Sequence, residues 1–119
     1  MINGHNVKEL ELLQDEVGAW YYTLNNIPYT GYAYALFPSN GKLSDEYNLL
    51  NGYQEGIQRV WYQNGQLMSE TYYSNNIPHG KCTEWFDDGT LSFEAEYNMG
   101  IKIWSKMYNE QGVLIREFP

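Results

Sequence analysis

Short runs of aromatic and aliphatic residues alternate with turn-forming residues along this chain, and the pattern returns at a nearly constant interval. A glycine recurs after 24, 24 and 23 residues, at Gly41, Gly65, Gly89 and Gly112. An aromatic residue lies four positions before each glycine, at Phe37, Trp61, Trp85 and Tyr108. A leucine follows each glycine by two positions, and a glutamate follows it by five, at Glu46, Glu70, Glu94 and Glu117. Four columns in register indicate an internal repeat.

Each repeat is predicted to be a β-hairpin followed by a joint to the next hairpin. Asn40-Gly41, Asn64-Gly65 and Asp88-Gly89 are preferred in two-residue type I′ loops, in which both central residues have positive φ. Gln111-Gly112 is a weaker version of the same pair. A second series of glycines predicts looser turns at the joints, at Gly31, Gly56, Gly80 and Gly100.

Two-residue loops would determine which residues face each other across each hairpin. They place Arg59 opposite Glu70, Thr83 opposite Glu94, and Lys106 opposite Glu117. The same loops predict four further pairs, Tyr62 with Leu67, Phe86 with Leu91, Trp85 with Ser92, and Glu46 with Ala35.

The apolar residues do not fall on one face of every hairpin. In the second hairpin they lie on both faces, with Val60 and Leu67 on one and Ile57 and Trp61 on the other. Because sandwiches and barrels usually alternate more sharply, we predict an all-β fold: an elongated, single-layer antiparallel sheet of stacked β-hairpins. The single domain, 1–119, would comprise repeats at 31–55, 56–79, 80–103 and 104–119.

Residues 1–30 depart from the repeat, and we interpret them as a degenerate N-terminal cap. Residues 7–13 fit either a strand or a short helical stretch, and their periodicity does not decide between the two. Residues 20–23 predict a strand that runs into an Asn-Asn-Ile-Pro turn.

The composition narrows the classes of partner. The 119 residues carry a formal net charge of −8, 43% hydrophobic residues and 17% aromatic residues. An acidic surface repels nucleic acid and anionic lipid and favours a basic protein, although such a charge also serves solubility alone. The chain has one cysteine, no apolar leader and no run long enough to span a bilayer, which together predict a cytoplasmic protein.

No residue pattern predicts catalysis, a cofactor or a metal. His5 and His79 are far apart in the sequence and form no metal-binding signature. Cys82 alternates with Glu84 and Phe86, which predicts a buried structural thiol. The glutamates recur once per repeat, as structural residues do, whereas catalytic residues occur once per site. We therefore expect no enzyme activity.

The segment from Gly56 through Trp61-Tyr62, Asn64-Gly65, Leu67, Glu70 and Tyr72 to Gly80 recurs from Gly80 to Gly100. This unit resembles a MORN-type repeat, and it looks most like the variant found in small bacterial antitoxin-like proteins. The resemblance covers roughly residues 20 to 118. It implies a twisted sheet of stacked hairpins, and it implies an antitoxin or immunity protein that binds and neutralises a partner toxin. Phe37-Pro38 departs from the aromatic pairs of the other units.

The expected binding surface combines aromatic and acidic residues from two neighbouring hairpins. We call it the partner-binding stripe, and it comprises Trp61, Glu70, Tyr72, Trp85, Glu94 and Glu96. Its expected partner is a basic toxin domain. An alternative function is a MORN-like scaffold or adaptor that binds another protein without neutralising a toxin. An alternative role for the stripe is structural, with both tryptophans in the core and Glu70 paired with Arg59.

Overall fold

The computed structural model describes residues 4–119, and strands joined by short turns make up most of this range. A three-residue 3-10 helix, Val7–Glu9, follows the first strand. The strands, in chain order, are β1 (His5–Asn6), β2 (Glu11–Gln14), β3 (Trp20–Leu24), β4 (Ile27–Pro28), β5 (Gly31–Leu36), β6 (Leu43–Leu50), β7 (Tyr53–Gln54), β8 (Gly56–Trp61), β9 (Leu67–Ser74), β10 (Ile77–Trp85), β11 (Leu91–Asn98), β12 (Ile101–Tyr108) and β13 (Leu114–Phe118).

Ten of these strands form one sheet, in which neighbours along the chain are mostly neighbours in space. The strand order is β1-β5-β6-β8-β9-β10-β11-β12-β13, with β7 paired to β6. Every pair is antiparallel except β1 with β5, which is parallel. The predicted all-β fold, an elongated antiparallel sheet of hairpins, is confirmed.

The first thirty residues, as far as they are described, add a small second sheet. Strands β2, β3 and β4 form a three-stranded sheet. It contacts the main sheet where the Tyr22 amide donates to the carbonyl of Gly52, in the turn between β6 and β7, at 2.9 Å. Both alternatives for residues 7–13 occur, because the 3-10 helix ends at Glu9 and β2 begins at Glu11. The strand predicted at residues 20–23 is confirmed as β3. Residues 1–3 of the predicted cap lie outside the described range.

The hairpin loops at the repeated Asn-Gly and Asp-Gly pairs are not type I′ turns, so that prediction is wrong. In the second hairpin the Gly65 amide donates to the Tyr62 carbonyl and the Tyr62 amide donates to Gln66, at 3.0 and 2.9 Å. Only Gly65 has positive φ, and Asn64 does not. The loop is a turn closed by a glycine in the left-handed region, a three-residue loop with a bulge. Asn64 suits this loop because its Oδ1 accepts from the Gln66 amide at 2.9 Å.

The type I′ turns occur at the joints, where looser turns were predicted. Both loop residues have positive φ at each of four joints, Asn25-Asn26, Asn51-Gly52, Asn75-Asn76 and Met99-Gly100. These two-residue loops carry the twist that antiparallel strands require. Three of them also connect the repeats, because the second loop residue donates its amide to a backbone carbonyl of the preceding unit. The acceptors of Gly52, Asn76 and Gly100 are the carbonyls of Tyr29, Gln54 and Pro78.

The bulged loops explain which predicted pairs hold. Far from the loops the pairs Arg59–Glu70, Thr83–Glu94 and Lys106–Glu117 are confirmed. Beside each loop the bulge shifts the register by one, so the three predicted pairs Tyr62–Leu67, Phe86–Leu91 and Trp85–Ser92 are wrong. Leu67 faces Trp61 instead, and Leu91 faces Trp85.

The first hairpin differs along its whole length because its loop is one residue longer. The Gly41 amide donates to the Phe37 carbonyl, four residues earlier, at 2.8 Å, whereas the equivalent bond in the second hairpin spans three residues. Pro38 is the first residue of this loop. Glu46 therefore faces Tyr34, and the predicted pair of Glu46 with Ala35 is wrong.

The core is a thin row of small side chains on one face of the sheet. Cys82 faces Thr71 on one side and Ala95 on the other, and Ala95 faces Ser105. Cys82, Ala95 and Ser105 are buried. The prediction that Cys82 is buried is confirmed, and burial raises the pKa of its thiol. The radius of gyration is 15.8 Å, against about 13.5 Å for a compact chain of this length, so the molecule is elongated.

Candidate partner-binding surface

A row of polar residues crosses the main sheet on the face opposite the small-residue core. Residues directly opposite each other in an antiparallel pair point to the same face. Each member of this row faces the next, from β6 to β13. We call it the charged row, and it comprises Glu46, Arg59, Glu70, Thr83, Glu94, Lys106 and Glu117.

Arg59 joins the two glutamates beside it. Its Nε lies 2.8 Å from Glu70 Oε2, and its Nη1 lies 3.4 Å from Glu46 Oε2. The hydrogen bond to Glu70 is the largest cause of a raised Arg59 pKa. A guanidinium held between two carboxylates on neighbouring strands restricts all three side chains, so this part of the row is ordered before any partner arrives.

Tyrosine hydroxyls donate hydrogen bonds to two carboxylates of the row, Glu46 and Glu94. Tyr32 donates to Glu46 at 2.8 Å, and Tyr108 donates to Glu94 at 2.9 Å. Burial and the bond to Glu46 raise the pKa of Tyr32, whereas the bond to Glu94 is the largest cause of the raised pKa of Tyr108. Both glutamates therefore already have a donor, and they have fewer free lone pairs for a partner.

The structure brings four residues of the partner-binding stripe to the charged face. Glu70 and Glu94 belong to the charged row, and Tyr72 and Glu96 lie two residues further along the same strands, so they share this face. Tyr72 is 45% exposed. Glu96 makes no side-chain hydrogen bond or ion pair with any residue in the range 4–119. Tyr72 is therefore the exposed residue of the stripe, and Glu96 is a half-buried carboxylate whose side chain has no partner among the described residues.

The two stripe tryptophans lie beside the bulges rather than along the row. Register shifts occur immediately before Trp61 and before Trp85. Trp61 lines a shallow groove of about 540 Å³ together with Phe37 and Met68. The Trp85 carbonyl accepts from the Tyr62 hydroxyl at 2.7 Å. Both tryptophans are half-buried. They are therefore neither fully in the core, as the structural alternative expected, nor fully exposed, as a binding role would favour.

Two residues of the charged face, Lys81 and Trp104, were not identified from the sequence. Lys81 and Trp104 lie directly opposite Glu96 on its two sides. Lys81 follows from the same hairpin register as the predicted pair Thr83–Glu94. Trp104 lies across a joint, and a bulge between Glu96 and Tyr97 shifts its register, so only the structure reveals it. With Arg59, Lys81 and Lys106 among the glutamates, the face alternates in charge, and it is less acidic than the stripe alone suggested.

The described residues hold few groups with reactive chemistry. Among residues 4–119 no three His, Cys, Asp or Glu side chains are placed to hold a metal ion. The Cys82 thiol is buried and lies 3.5 Å from Thr71 Oγ1. No helix within residues 4–119 has the length and apolar character needed to cross a membrane.

Comparison with known proteins identifies part of the array. The MORN repeat variant matches at residues 54–75 and again at 78–99, which places two MORN-type repeats on the hairpins β8–β9 and β10–β11. No curated protein matches the chain.

A solved structure, described as the crystal structure of TarM, is similar over 94% of this chain and 20% of its own, with 11% identity and a TM-score of 0.44. The chain thus spans about a fifth of the TarM chain. A likeness at this level supports no inference about function.

Proposed function

We propose that this chain is a protein-binding module of the antitoxin or immunity type, which neutralises a toxin by covering it through the charged face. The observation that carries the proposal is the exposed Tyr72 and the unpartnered Glu96 carboxylate beside an ordered charged row. Tyrosine is enriched among the residues that dominate binding energy. Side chains that are ordered in advance lose less entropy when a partner binds.

The partner that suits this surface is a basic protein with alternating charges. The net charge of −8 attracts a cationic protein at long range and speeds its association. At short range, Arg59 and Lys81 require acidic groups between the partner's cations. The molecule extends 48 by 36 Å along its two longer axes, room enough for an interface of ordinary size. The reduced single thiol, Cys82, suits action in the cytoplasm.

A scaffold or adaptor is the second candidate, and the two MORN-type repeats at 54–99 favour it. These repeats fit protein binding in general and carry no indication of a toxin. The two candidates share a surface and differ in what binding does to the partner.

The test begins with capture of partners from the native cell and measures their effect on growth. Each captured protein is expressed in a host cell with and without this chain. An antitoxin restores growth to cells that express the partner, whereas an adaptor binds a partner that never slows growth. Restored growth supports the proposal, and tight binding to a harmless partner overturns the antitoxin role.

Variants locate the surface. Glu96→Lys combined with Tyr72→Ala removes the exposed tyrosine and reverses the unpartnered carboxylate, and we expect binding to weaken by about thirtyfold or more, since one hot-spot tyrosine contributes about 2 kcal/mol. Glu11→Lys, an exposed glutamate of β2 in the small sheet, is the matched control and should bind normally. Glu94→Lys is less informative because Glu94 also accepts from Tyr108. Full protection by the folded double variant would exclude this face.

A further inference from the structure

The two ends of the main sheet differ in how their edges are covered. At one end β1 pairs with β5 through His5–Ala33 and Asn6–Tyr34, and the 3-10 helix packs beside it. At the other end β13 pairs only with β12, and all five of its residues are exposed. Among residues 4–119, the outer edge of β13 therefore has no strand beside it.

Apolar side chains are concentrated around this open edge. Ile115 is 57% exposed and Phe118 is 46% exposed. Five additional exposed apolar residues lie on β12 and in the adjoining turns, at Met99, Ile101, Ile103, Met107 and Val113. An open edge strand with exposed apolar residues is a template for another strand, and folded proteins usually cover or blunt such an edge.

A groove lies next to the edge at the loop end of the last hairpin. It has a volume of about 700 Å³, and its walls are mainly the side chains of Phe93, Met107, Tyr108 and Ile115. Two carboxylates, Glu84 and Glu110, lie among these residues. Glu84, Phe93 and Met107 face one another on the side of the sheet opposite the charged row. The groove can therefore take the apolar side chain of an added strand whose alternate residues face Glu117.

The charged row ends at this edge with an acidic residue. Lys106 faces Glu94 on one side and Glu117 on the other, and no strand formed by residues 4–119 lies beyond Glu117. A residue added opposite Glu117 completes the alternation if it is Lys or Arg, because opposite charges across strands stabilise a sheet and like charges destabilise it.

We propose that the open edge of β13 binds an extended segment of a basic partner protein as an additional antiparallel strand, with a Lys or Arg opposite Glu117 and an apolar side chain in the groove beside Ile115. Backbone hydrogen bonds would supply affinity, and the groove with its carboxylates would supply specificity. A second copy of the chain suits the edge less well, since two molecules of charge −8 repel each other. This inference does not rest on the stripe, which lies on other strands.

The probe is a capped peptide of about six residues, the length of an ordinary strand, in which lysine alternates with isoleucine. It is titrated into the isotopically labelled full chain, and chemical shifts and amide hydrogen exchange are followed. We expect shifts centred on β13 and slowed exchange of its amides. A control peptide with glutamate in place of lysine should bind more weakly, and an N-methylated peptide, which cannot pair as a strand, should not bind.

Two variants examine the charge opposite the peptide. Glu117→Lys should lower the affinity for the lysine peptide by about tenfold, because it replaces an attractive pair with a repulsive one. The same variant should raise the affinity for the glutamate peptide, because it replaces a repulsive pair with an attractive one. The gain with the glutamate peptide also shows that the variant is folded. Glu11→Lys on β2 should leave both affinities unchanged.

Three outcomes would overturn the inference. The first is peptide binding centred on Tyr72 and Glu96. The second is equal affinity for the lysine and glutamate peptides. The third is sedimentation of the chain as a dimer that the peptide dissociates, which would make a second copy the occupant of the edge.

Discussion

At Gly65 and Gly89 the backbone has φ of +90° and +91°, a region that β-branched residues resist strongly. The two positions differ in their surroundings. A Cβ at Gly65 would meet nothing within 4 Å, whereas one at Gly89 would lie 3.1 Å from Gln66 Oε1. The pair therefore separates backbone strain from local crowding.

We predict that Gly89→Val destabilises the protein by about 1–3 kcal/mol, because valine must take a strained φ. Urea unfolding measures the change. Gly65→Val should lower the stability by nearly as much, since the crowding at Gly89 involves only the flexible end of the Gln66 side chain. Gly89→Asn should lose much less because asparagine tolerates positive φ. A Gly89→Val variant as stable as the parent would contradict the loop geometry.

Met99 occupies a turn position that suits Asn or Gly better. It has φ of 46° at the first position of the last type I′ joint, where the other three joints have Asn. Its side chain is 53% exposed, and its amide donates to His79 Nδ1 at 3.0 Å. The backbone hydrogen bond would survive a change of side chain.

We expect Met99→Asn to stabilise the protein by about 0.5–1 kcal/mol, because Asn populates this conformation at little cost and Met does not. Thermal and urea unfolding both measure the gain. Met99→Val is the opposing control and should destabilise. If Met99→Asn lowered stability, packing of the Met99 side chain would outweigh the backbone preference.

At the level of elements, asparagine side chains join successive hairpin loops. Asn40 Nδ2 donates to the Gln63 carbonyl at 3.2 Å, and Asn64 Nδ2 donates to the Asp87 carbonyl at 2.9 Å. Asp88 occupies the equivalent position in the third loop, where its Oδ1 accepts from the Thr90 amide, but a carboxylate cannot donate to the fourth loop. The series of loop-to-loop bonds therefore stops at Asp88.

Exchanging these residues tests the series. Asn64→Asp keeps the acceptor for the Gln66 amide and loses the bond to Asp87, and we expect a loss of about 1 kcal/mol. Asp88→Asn should increase stability, since it restores the missing donor. Calorimetry on the two variants measures both changes. If neither exchange changed the stability, the loop-to-loop bonds would contribute nothing to the fold.

A second element-level contact attaches the small sheet to the main one. Asp15, just after β2, accepts from the Tyr53 hydroxyl at 2.7 Å and from the amides of Ala19 and Val17 at 2.9 and 3.0 Å. These bonds, that from Tyr53 foremost, hold the pKa of Asp15 below its ordinary value of 3.8. Because the folded pKa is the lower one, Asp15 stabilises the fold above pH 3.8 and loses that effect as the pH falls through the folded pKa.

We predict that Tyr53→Phe raises the pKa of Asp15 toward 3.8, since it removes the largest cause of the lowering. Side-chain carboxyl shifts followed by NMR during an acid titration measure the pKa. Asp88 is the internal control, because its lowered pKa depends on Thr90 and should not move. An unchanged Asp15 would show that the backbone donors suffice.

The sequence predicts the hairpin elements well and their loops poorly, for a local reason. Asn-Gly suits both a type I′ loop and the last two positions of a bulged loop. The choice at Asn64-Gly65 agrees with the bond from Asn64 to Asp87, a contact 23 residues away that no local pattern reveals. Pro38 marks the first loop as different, but the extra residue and its effect on Glu46 are visible only in the structure. Alternation and the hairpin register placed Glu70, Tyr72, Glu94 and Glu96 on one face, with Arg59 beside Glu70. The bulges at both stripe tryptophans and the pairing of Lys106 with Glu94 across a joint required the structure.

At the scale of the whole molecule, each strand of the main sheet depends mainly on its neighbours. The buried row of Cys82, Ala95 and Ser105 is one residue deep on each strand, and within residues 4–119 no central core unites distant repeats. Stability in such arrays is nearly a sum of local terms, so loss of a terminal element should be felt only nearby. The chain's one cysteine, buried in β10, reports on opening at the centre of the array.

Removal of residues 109–119 deletes β13, and we predict that the thiol of Cys82 stays protected, reacting with a thiol reagent within about twofold of the parent rate. Strands β11 and β12 still separate Cys82 from the new edge, where Ser105 becomes exposed. Removal of residues 99–119 is the matched comparison. It deletes β12 as well, exposes Ala95 directly beside Cys82, and should accelerate labelling by about tenfold or more, since only one strand then covers that side. Circular dichroism would confirm that both shortened chains retain strands. Rapid, complete labelling after the shorter deletion would mean that the sheet unfolds as one cooperative unit, and the nearest-neighbour description of the array would then be wrong.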